Sequence, residues 1–297
     1  MGMEFKWLKS KSGERYLNVS QEKYCNKILK RFGMENAKPC HTPALASGKQ
    51  PEVYLWPNPE PPENVDKELL GRYRAGIGAL IYLSVMTRPD IAYSVNAAAQ
   101  YMSNPNKDHE YALWKIFRYL IGTTTYSLKY FHTGKGMTME AYVDANFMGD
   151  HDSRSVTGKI IFSGNGIIEW GSNRQSTIAT STSHAECTAF FEALKSVVYA
   201  RKLAENFGLP ERVTSQPTTM HCDNSACVEL VRKRCEKPNR TKHWQMQWNW
   251  LHEQRDVFHQ YVAIFREGKT NWSDVFTKPL TRDVFKRMVD AMKLGAV

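Results

Sequence analysis

The hydrophobic positions divide the chain into two textures. Up to about residue 121 they recur at helical spacing. Tyr24, Ile28, Leu29 and Phe32 form one stripe, with Ser20-Gln21 marking its N-terminal boundary. Leu69, Tyr73, Ile77, Leu80, Ile81 and Leu83 form a second. Arg88-Pro89-Asp90 ends that helix and starts another through Ile91 to Met102, because the residue before a proline is pushed out of the helical region. A third helix over about 109–120 is expected to bury Tyr111, Leu113, Trp114, Phe117 and Leu120. Residues 44–66 hold five prolines and little helical period, which predicts a linker or extended strap.

From about Met137 the period changes to two. The stretch MTMEAYVDANF alternates, as do Lys159 to Phe162 and Ile167 to Gly171, the pattern of half-buried strands. Gly164-Asn165-Gly166 predicts a hairpin turn between the last two. A long helix follows over about 182–207, then a strand from Thr218 to Cys222 and a helix from Asn224. Another helix over about Thr241 to Gln254, a strand from Val257 to Phe265 and a helical segment near Trp272 to Phe276 complete the pattern. Hairpin strands followed by strands alternating with helices predict an α/β fold, a mixed sheet with helices against its faces.

The 297 residues suffice for two ordinary domains or one large one. An apolar share of 42% supports a sizeable core. Lys and Arg number 40 against 30 Asp and Glu, a net charge of +10. That balance favours a polyanionic partner, nucleic acid or an anionic membrane surface, without choosing between them. No apolar run reaches the roughly 18 residues of a membrane span, and MGMEFKWLKSKSGE lacks the apolar core of a signal peptide. A soluble, intracellular chain is expected. Lys6 stands where a myristoylation motif after Met1-Gly2 wants Ser or Thr. None of Cys25, Cys40, Cys187, Cys222, Cys227 and Cys235 forms a Cys-x-x-Cys pair. His221, Cys222 and Cys227 lack the close ligand pairs of a zinc site, so reduced, buried thiols are expected.

Four carboxylates carry the candidate chemistry. Glu186 projects from the same stripe as Phe190, Ala193, Leu194 and Val197, where a charge is costly unless something neutralises it. A buried salt bridge and a metal ion both answer that need. Asp144 ends the first strand of the alternating half and shares a strand face with Tyr142. Asp223 directly follows the strand TTMHC, at the carboxyl end where sites of α/β sheets form. It is also placed to cap the helix from Asn224. Asp274, in NWSDVFTKPL, fits the charge preference of a helix N-terminus. Singly, each acid has a structural reading as good as a catalytic one.

Together they follow a pattern: Asp, Glu, Asp, Asp on a hairpin strand, a long helix, a strand end and a late helical segment. Around them stand Tyr142-Val143-Asp144-Ala145-Asn146 with Gly149-Asp150 after it, Ser153-Arg154-Ser155-Val156-Thr157-Gly158, and Trp170 followed by Arg174-Gln175. Ser181 to Glu186, Cys222-Asp223-Asn224, Arg240-Thr241-Lys242-His243 and Asp274-Val275-Phe276-Thr277-Lys278-Pro279-Leu280 complete the set. These segments resemble the ribonuclease H of Ty1/copia retrotransposons. Upstream, Ser20-Gln21-x-Lys23-Tyr24, Arg31-Phe32-Gly33-Met34 and Thr42-Pro43 resemble the tail of the reverse transcriptase. Gly78-x-Leu80-Ile81-Tyr82-Leu83 and Thr87-Arg88-Pro89-Asp90-Ile91-Ala92 resemble the segment joining polymerase to nuclease. The resemblance covers the chain up to about residue 283. It implies a reverse-transcriptase tail remnant (1–43), a Pro-rich linker (44–66), a helical connection segment (67–135), a ribonuclease H-like domain (136–283) and a C-terminal tail (284–297). The first half is then mainly helical, and the domain is a mixed five-stranded sheet flanked by helices.

The activity so implied is endonucleolytic hydrolysis of the RNA strand of RNA–DNA hybrids during reverse transcription. Two Mg²⁺ ions, with Mn²⁺ as a substitute, would be held by Asp144, Glu186, Asp223 and Asp274. In that scheme Asp144 bridges both ions, Glu186 and Asp223 bind the one nearer the leaving group, and Asp274 holds the one carrying the attacking water. The products are a 3′ hydroxyl and a 5′ phosphate. Arg174, Gln175, Ser181, Asn224, Arg240, Lys242 and His243 are the expected contacts to the hybrid. The stretch from Arg232 to Lys242 holds six basic residues, Arg232, Lys233, Arg234, Lys237, Arg240 and Lys242, and one acid, Glu236, and would track its phosphates. Trp244 and Trp248 have the spacing of core residues, and His243, His252 and His259 are candidates for assisting product release. Other parts of the Pol polyprotein are expected partners, and a cytoplasmic particle or the nucleus the expected location.

Departures from the family pattern matter. Its polymerase needs a Tyr-x-Asp-Asp motif, and this chain contains no Asp-Asp dipeptide. Tyr142-Val143-Asp144-Ala145 belongs to the nuclease segment, so no DNA synthesis is expected. His184 stands where the family usually has an acid, Cys187 where it has Tyr or a similar residue, and Asn146 where Asp is common. Two readings compete. A catalytically silent or domesticated fragment would bind nucleic acid or protein without cutting. An integrase or junction resolvase would share the acidic site but lack the Thr-Lys-Pro-Leu ending and the polymerase-tail segments.

Overall fold

The computed structural model describes residues 2–44, 55–131, 138–209, 215–233 and 242–295. The chain forms two compact units. One comprises Met1–His132, Gly171–Asn173 and Lys278–Val297, the other Thr133–Trp170 and Arg174–Thr277.

The first unit opens with strands β1 (Glu4–Lys9) and β2 (Arg15–Ser20), then helices α1 (Glu22–Arg31), α2 (Lys67–Met86), α3 (Ala92–Ala99) and α4 (Lys107–Ile121), and strand β3 (Ser127–Phe131). The helices follow most of the expected stripes, though Ile81, expected in the second, is exposed. Tyr73, Ile77, Leu80 and Leu83 of α2 are fully buried. The buried face of α4 is Ala112, Leu113, Ile116, Phe117 and Leu120. Tyr111, expected in that face, is 57% exposed, because it lies about 100° around the helix from Ala112. Residues 55–64 form a strap along this unit. The Trp56 carbonyl meets His109 Nε2 at 2.8 Å, and Asn58 donates to Asn104 Oδ1 at 3.1 Å. Residues 45–54 of the expected linker lie outside the described residues.

The helical stripes gave no sign of the antiparallel sheet β1-β2-β3. β1 is exposed along nearly its whole length. On β2 the buried apolar residues Tyr16 and Val19 are three apart, a spacing that also fits a helix. Neither strand therefore shows a clean period of two.

The second unit is the expected mixed sheet. Its strands β4 (Met139–Asn146), β5 (Val156–Ser163), β6 (Gly166–Arg174), β7 (Thr218–Cys222) and β8 (Tyr261–Phe265) lie in the order β6-β5-β4-β7-β8. β4 runs antiparallel to β5 and parallel to β7, which runs parallel to β8. Gly164 takes the turn between β5 and β6 with φ +60°, which glycine adopts without penalty. β8 is shorter than the Val257–Phe265 expected, because residues 257–260 form a turn with His259 at φ 48°. Helices α5 (Thr182–Asn206), α6 (Ser225–Arg232) and α7 (Lys242–Asp256) complete the layer. Phe190, Ala193, Leu194 and Val197 of α5 are fully buried in a core with Ala141, Val143 and Ile161. Each large apolar side chain so buried is worth about 1.5–3 kcal/mol. A short 3₁₀ segment, Trp272–Phe276, packs on β4 and β5. In the first unit, helix α8 (Arg282–Ala291) sets Phe285 edge-on to Tyr119 at 5.6 Å. No described helix is long and apolar enough to cross a membrane.

Candidate active site

The central strand positions the first acid. Side chains alternate along β4, so Ala141 and Val143 enter the core under α5 while Tyr142 and Asp144 take the opposite face. Asp144 is 3% exposed and lies opposite Gly158 of β5. Parallel pairing sets Val143 beside Cys222, so Asp223, the next residue after β7, emerges next to Asp144. Helix α5 packs on β4 and carries Glu186, 6% exposed, to the same end of the sheet. The 3₁₀ segment brings in Asp274.

Two overlapping groups result. An oxygen from each of Asp144, Asp223 and Asp274 lies within 4.8 Å of the others, and Glu186, Cys222 and Asp223 meet the same limit. Asp223 belongs to both. The capping role open to Asp223 is filled by Asn224, whose Oδ1 accepts from the Cys227 N–H at 2.9 Å. Asn271 likewise caps the 3₁₀ segment, accepting from the Ser273 N–H at 3.4 Å. Glu186 has no salt bridge among the described residues. Burial, then Cys222, Asp144 and Asp223, push its carboxyl well above the ordinary range, and a hydrogen bond from the Ala145 backbone opposes them only in part. Oxygens converging this closely repel one another unless a proton or cation intervenes, and hard carboxylate oxygens suit a divalent ion such as Mg²⁺ or Mn²⁺. Thus the residues present can hold such an ion. His221 takes no part. It sits on the opposite face of β7 from Cys222 and stacks on Tyr142, with ring centroids 4.5 Å apart.

Comparison with known proteins places this arrangement in a lineage. The chain is 33% identical over 273 residues to the retrovirus-related Pol polyprotein from transposon TNT 1-94 of Nicotiana tabacum, covering 92% of this chain and 20% of that one. It is 30% identical over 283 residues to the Pol polyprotein from transposon RE1 of Arabidopsis thaliana, covering 94% and 18%. The chain belongs to the Ty1/copia-type Pol polyproteins. This Pol segment spans about a fifth of the length of the relatives it matches. Among solved structures, the N-terminal RNase H domain of a Mycobacterium tuberculosis protein aligns with TM-score 0.34 and 9% identity, over 52% of this chain and 99% of that one. No protein-family model matches the chain.

The other site residues of the Pol segment fall into distinct surroundings. Arg174 pairs with Asp150 at 2.7 Å and with Asp152. The Gln175 side chain is buried and donates to Thr157 Oγ1 at 3.0 Å and the Ala185 carbonyl at 2.9 Å, holding β5 to α5. Ser181 caps α5, accepting from the His184 N–H at 3.1 Å, and is exposed. Arg240 lies outside the described residues, as do the side chains of Lys242, His243 and Trp244. Trp248 packs beside the core, His252 stacks on Trp248, and His259 is exposed. Cys187, Cys222 and Cys227 are buried free thiols, and Cys235 lies outside the described residues.

Sequence reasoning left Thr277 and Asn271 without a role. Both are fully buried. The Thr277 hydroxyl donates to Asp144 Oδ2, and Asn271 Nδ2 donates to the Val143 carbonyl at 2.9 Å. The signal for Thr277 was its place in the Asp274 to Leu280 motif.

Proposed function

We propose that this Pol segment is a ribonuclease H that cuts the RNA strand of RNA–DNA hybrids with two Mg²⁺ ions held by Asp144, Glu186, Asp223 and Asp274. The observation that carries the reading is the meeting of these acids at one end of the central strands, with oxygens of Asp144, Asp223 and Asp274 mutually within 4.8 Å. The Pol polyproteins among the relatives support it. Bound divalent ions would supply an activated water and charge stabilisation at the leaving 3′ oxygen. The chain's own part is to hold these carboxyl groups in fixed positions. Asp144 is fixed by Thr277, and Glu186 is fixed by burial and the Ala145 backbone. Basic residues of the 232–242 run would bind the hybrid's phosphates, and contacts to 2′ hydroxyls would distinguish RNA from DNA. The rest of the Pol polyprotein is the proposed partner, in a cytoplasmic particle or the nucleus.

The test is cleavage of a labelled RNA–DNA hybrid with and without Mg²⁺. The unaltered chain is expected to release fragments with 3′ hydroxyl ends only when Mg²⁺ is present. Asp144→Asn and Asp223→Asn are expected to abolish release while melting as cooperatively as the parent. Full activity in either variant overturns the site. Hybrid binding without cleavage by the unaltered chain identifies a silent binding fragment instead, and cleavage of duplex DNA alone identifies another nuclease class.

A further inference from the structure

We infer that Thr277 is the positioning residue of the acidic cluster, its hydroxyl fixing the orientation in which the Asp144 carboxylate meets a cation. The inference rests on the metal-site reading proposed above.

Thr277 is fully buried and lies just beyond the 3₁₀ segment that carries Asp274. Its hydroxyl has one proton to give. Asp144 Oδ2 is the nearer acceptor, and the Asp274 carbonyl lies farther off at 3.2 Å. The shorter contact is the one the hydroxyl proton serves. That bond fixes the rotation of the Asp144 carboxylate within the cluster. The Thr277 backbone N–H donates to the same Asp274 carbonyl at 3.2 Å, so the residue that orients Asp144 also closes the turn presenting Asp274.

Two neighbours hold Thr277 in this pose. Asn271 opens the turn by donating to the Val143 carbonyl, and its Oδ1 accepts from Ser273 Oγ at 2.6 Å. The turn is therefore pinned to β4 at both ends, by Asn271 to the backbone of Val143 and by Thr277 to the side chain of Asp144. Gly158 lies across from Asp144 on β5. A Cβ there would come within 2.6 Å of Thr277 Cγ2 and 2.7 Å of the Ser273 carbonyl oxygen. The Thr277 methyl thus rests on bare glycine backbone. With β-branching restricting χ1, the hydroxyl is held toward Asp144.

Mn²⁺ titrated calorimetrically into the full chain tests this. Thr277→Ser keeps the hydroxyl and is expected to bind within about twofold of the unaltered chain. Thr277→Val keeps the shape and loses the donor. It is expected to bind at least about 10-fold more weakly, the usual size of an outer-partner effect at a metal site. On a hybrid substrate its kcat is expected to fall with KM unchanged. If Thr277→Val does not fold, Thr277→Ala replaces it in the comparison. Equal binding by the hydroxyl-free variant, or equal weakening in Thr277→Ser, overturns the inference and leaves the nuclease reading standing. No Mn²⁺ binding by the unaltered chain overturns both.

Discussion

At Glu186 folding and chemistry oppose each other within one residue. Its neighbours on α5 are core side chains, and burial there raises its carboxyl well above the ordinary range, with Cys222, Asp144 and Asp223 adding to the effect. A carboxyl with a raised value in the folded state binds more protons folded than unfolded, so stability falls as pH rises from the ordinary Glu range through the raised value. Free of metal, the chain is therefore expected to lose thermal stability from pH 5 to pH 8. Glu186→Gln is expected to reduce that loss and to melt higher than the parent in EDTA at pH 8. A gain of about 1 kcal/mol there is a shift of roughly 2–4 °C. Added Mn²⁺ is expected to reverse the ranking, since the parent carboxylate gains a ligand and the amide does not. Melting curves at both pH values, with EDTA and with Mn²⁺, check this. A variant that melts below its parent in EDTA at pH 8 contradicts the account.

At the scale of elements, the site depends on how closely the 271–277 turn lies against β4 and β5. Gly158 permits that approach, because any Cβ would strike Thr277, Ser273 and Phe276. Gly158→Ala is expected to destabilise the chain by about 1–3 kcal/mol through overpacking. Because the displaced turn carries Asp274 and Thr277, it is also expected to weaken Mn²⁺ binding. Denaturant unfolding and the same calorimetry measure both, and a variant as stable as its parent refutes the close packing. The turn also marks the limit of what the sequence disclosed. β4 to β6 were legible from their alternation and α5 from its helical stripe, with β7 and β8 placed as the short segments between helices, and so the four acids could be assigned to elements. Asn224 was harder to read as a cap, because Asp223 beside it could do the same work, and the charge of Asp274 drew the reading of its segment away from Asn271. The Thr277–Asp144 bond joins residues 133 positions apart, and no local pattern encodes such a pair. β1 and β2 were illegible for the opposite reason: a strand exposed along its length and one with buried residues three apart carry no period-two signal.

Across the whole molecule the electrostatics divide. The net charge is +10, yet the site is built from acids. A polyanion is attracted by the chain's overall field and repelled by the cluster that would cleave it, unless cations neutralise that cluster first. Binding and cleavage are therefore expected to respond differently to ions. Hybrid affinity is expected to fall steeply with KCl, since each phosphate contact contributes about −0.9 to the slope of log K against log salt. Substituting Ala at Lys237, Arg240 and Lys242 together is expected to reduce the magnitude of that slope by about 3, roughly one per cation removed. Asp144→Asn removes one negative charge from the cluster. In EDTA it is expected to bind hybrid more tightly than the parent while cutting nothing when Mg²⁺ is restored. Fluorescence anisotropy across a KCl series, with cleavage followed on the same samples, separates the effects. An unchanged salt slope in the triple variant removes the 232–242 run from the substrate path, whereas an Asp144→Asn chain that binds no better than its parent in EDTA denies the cluster's opposition to the polyanion.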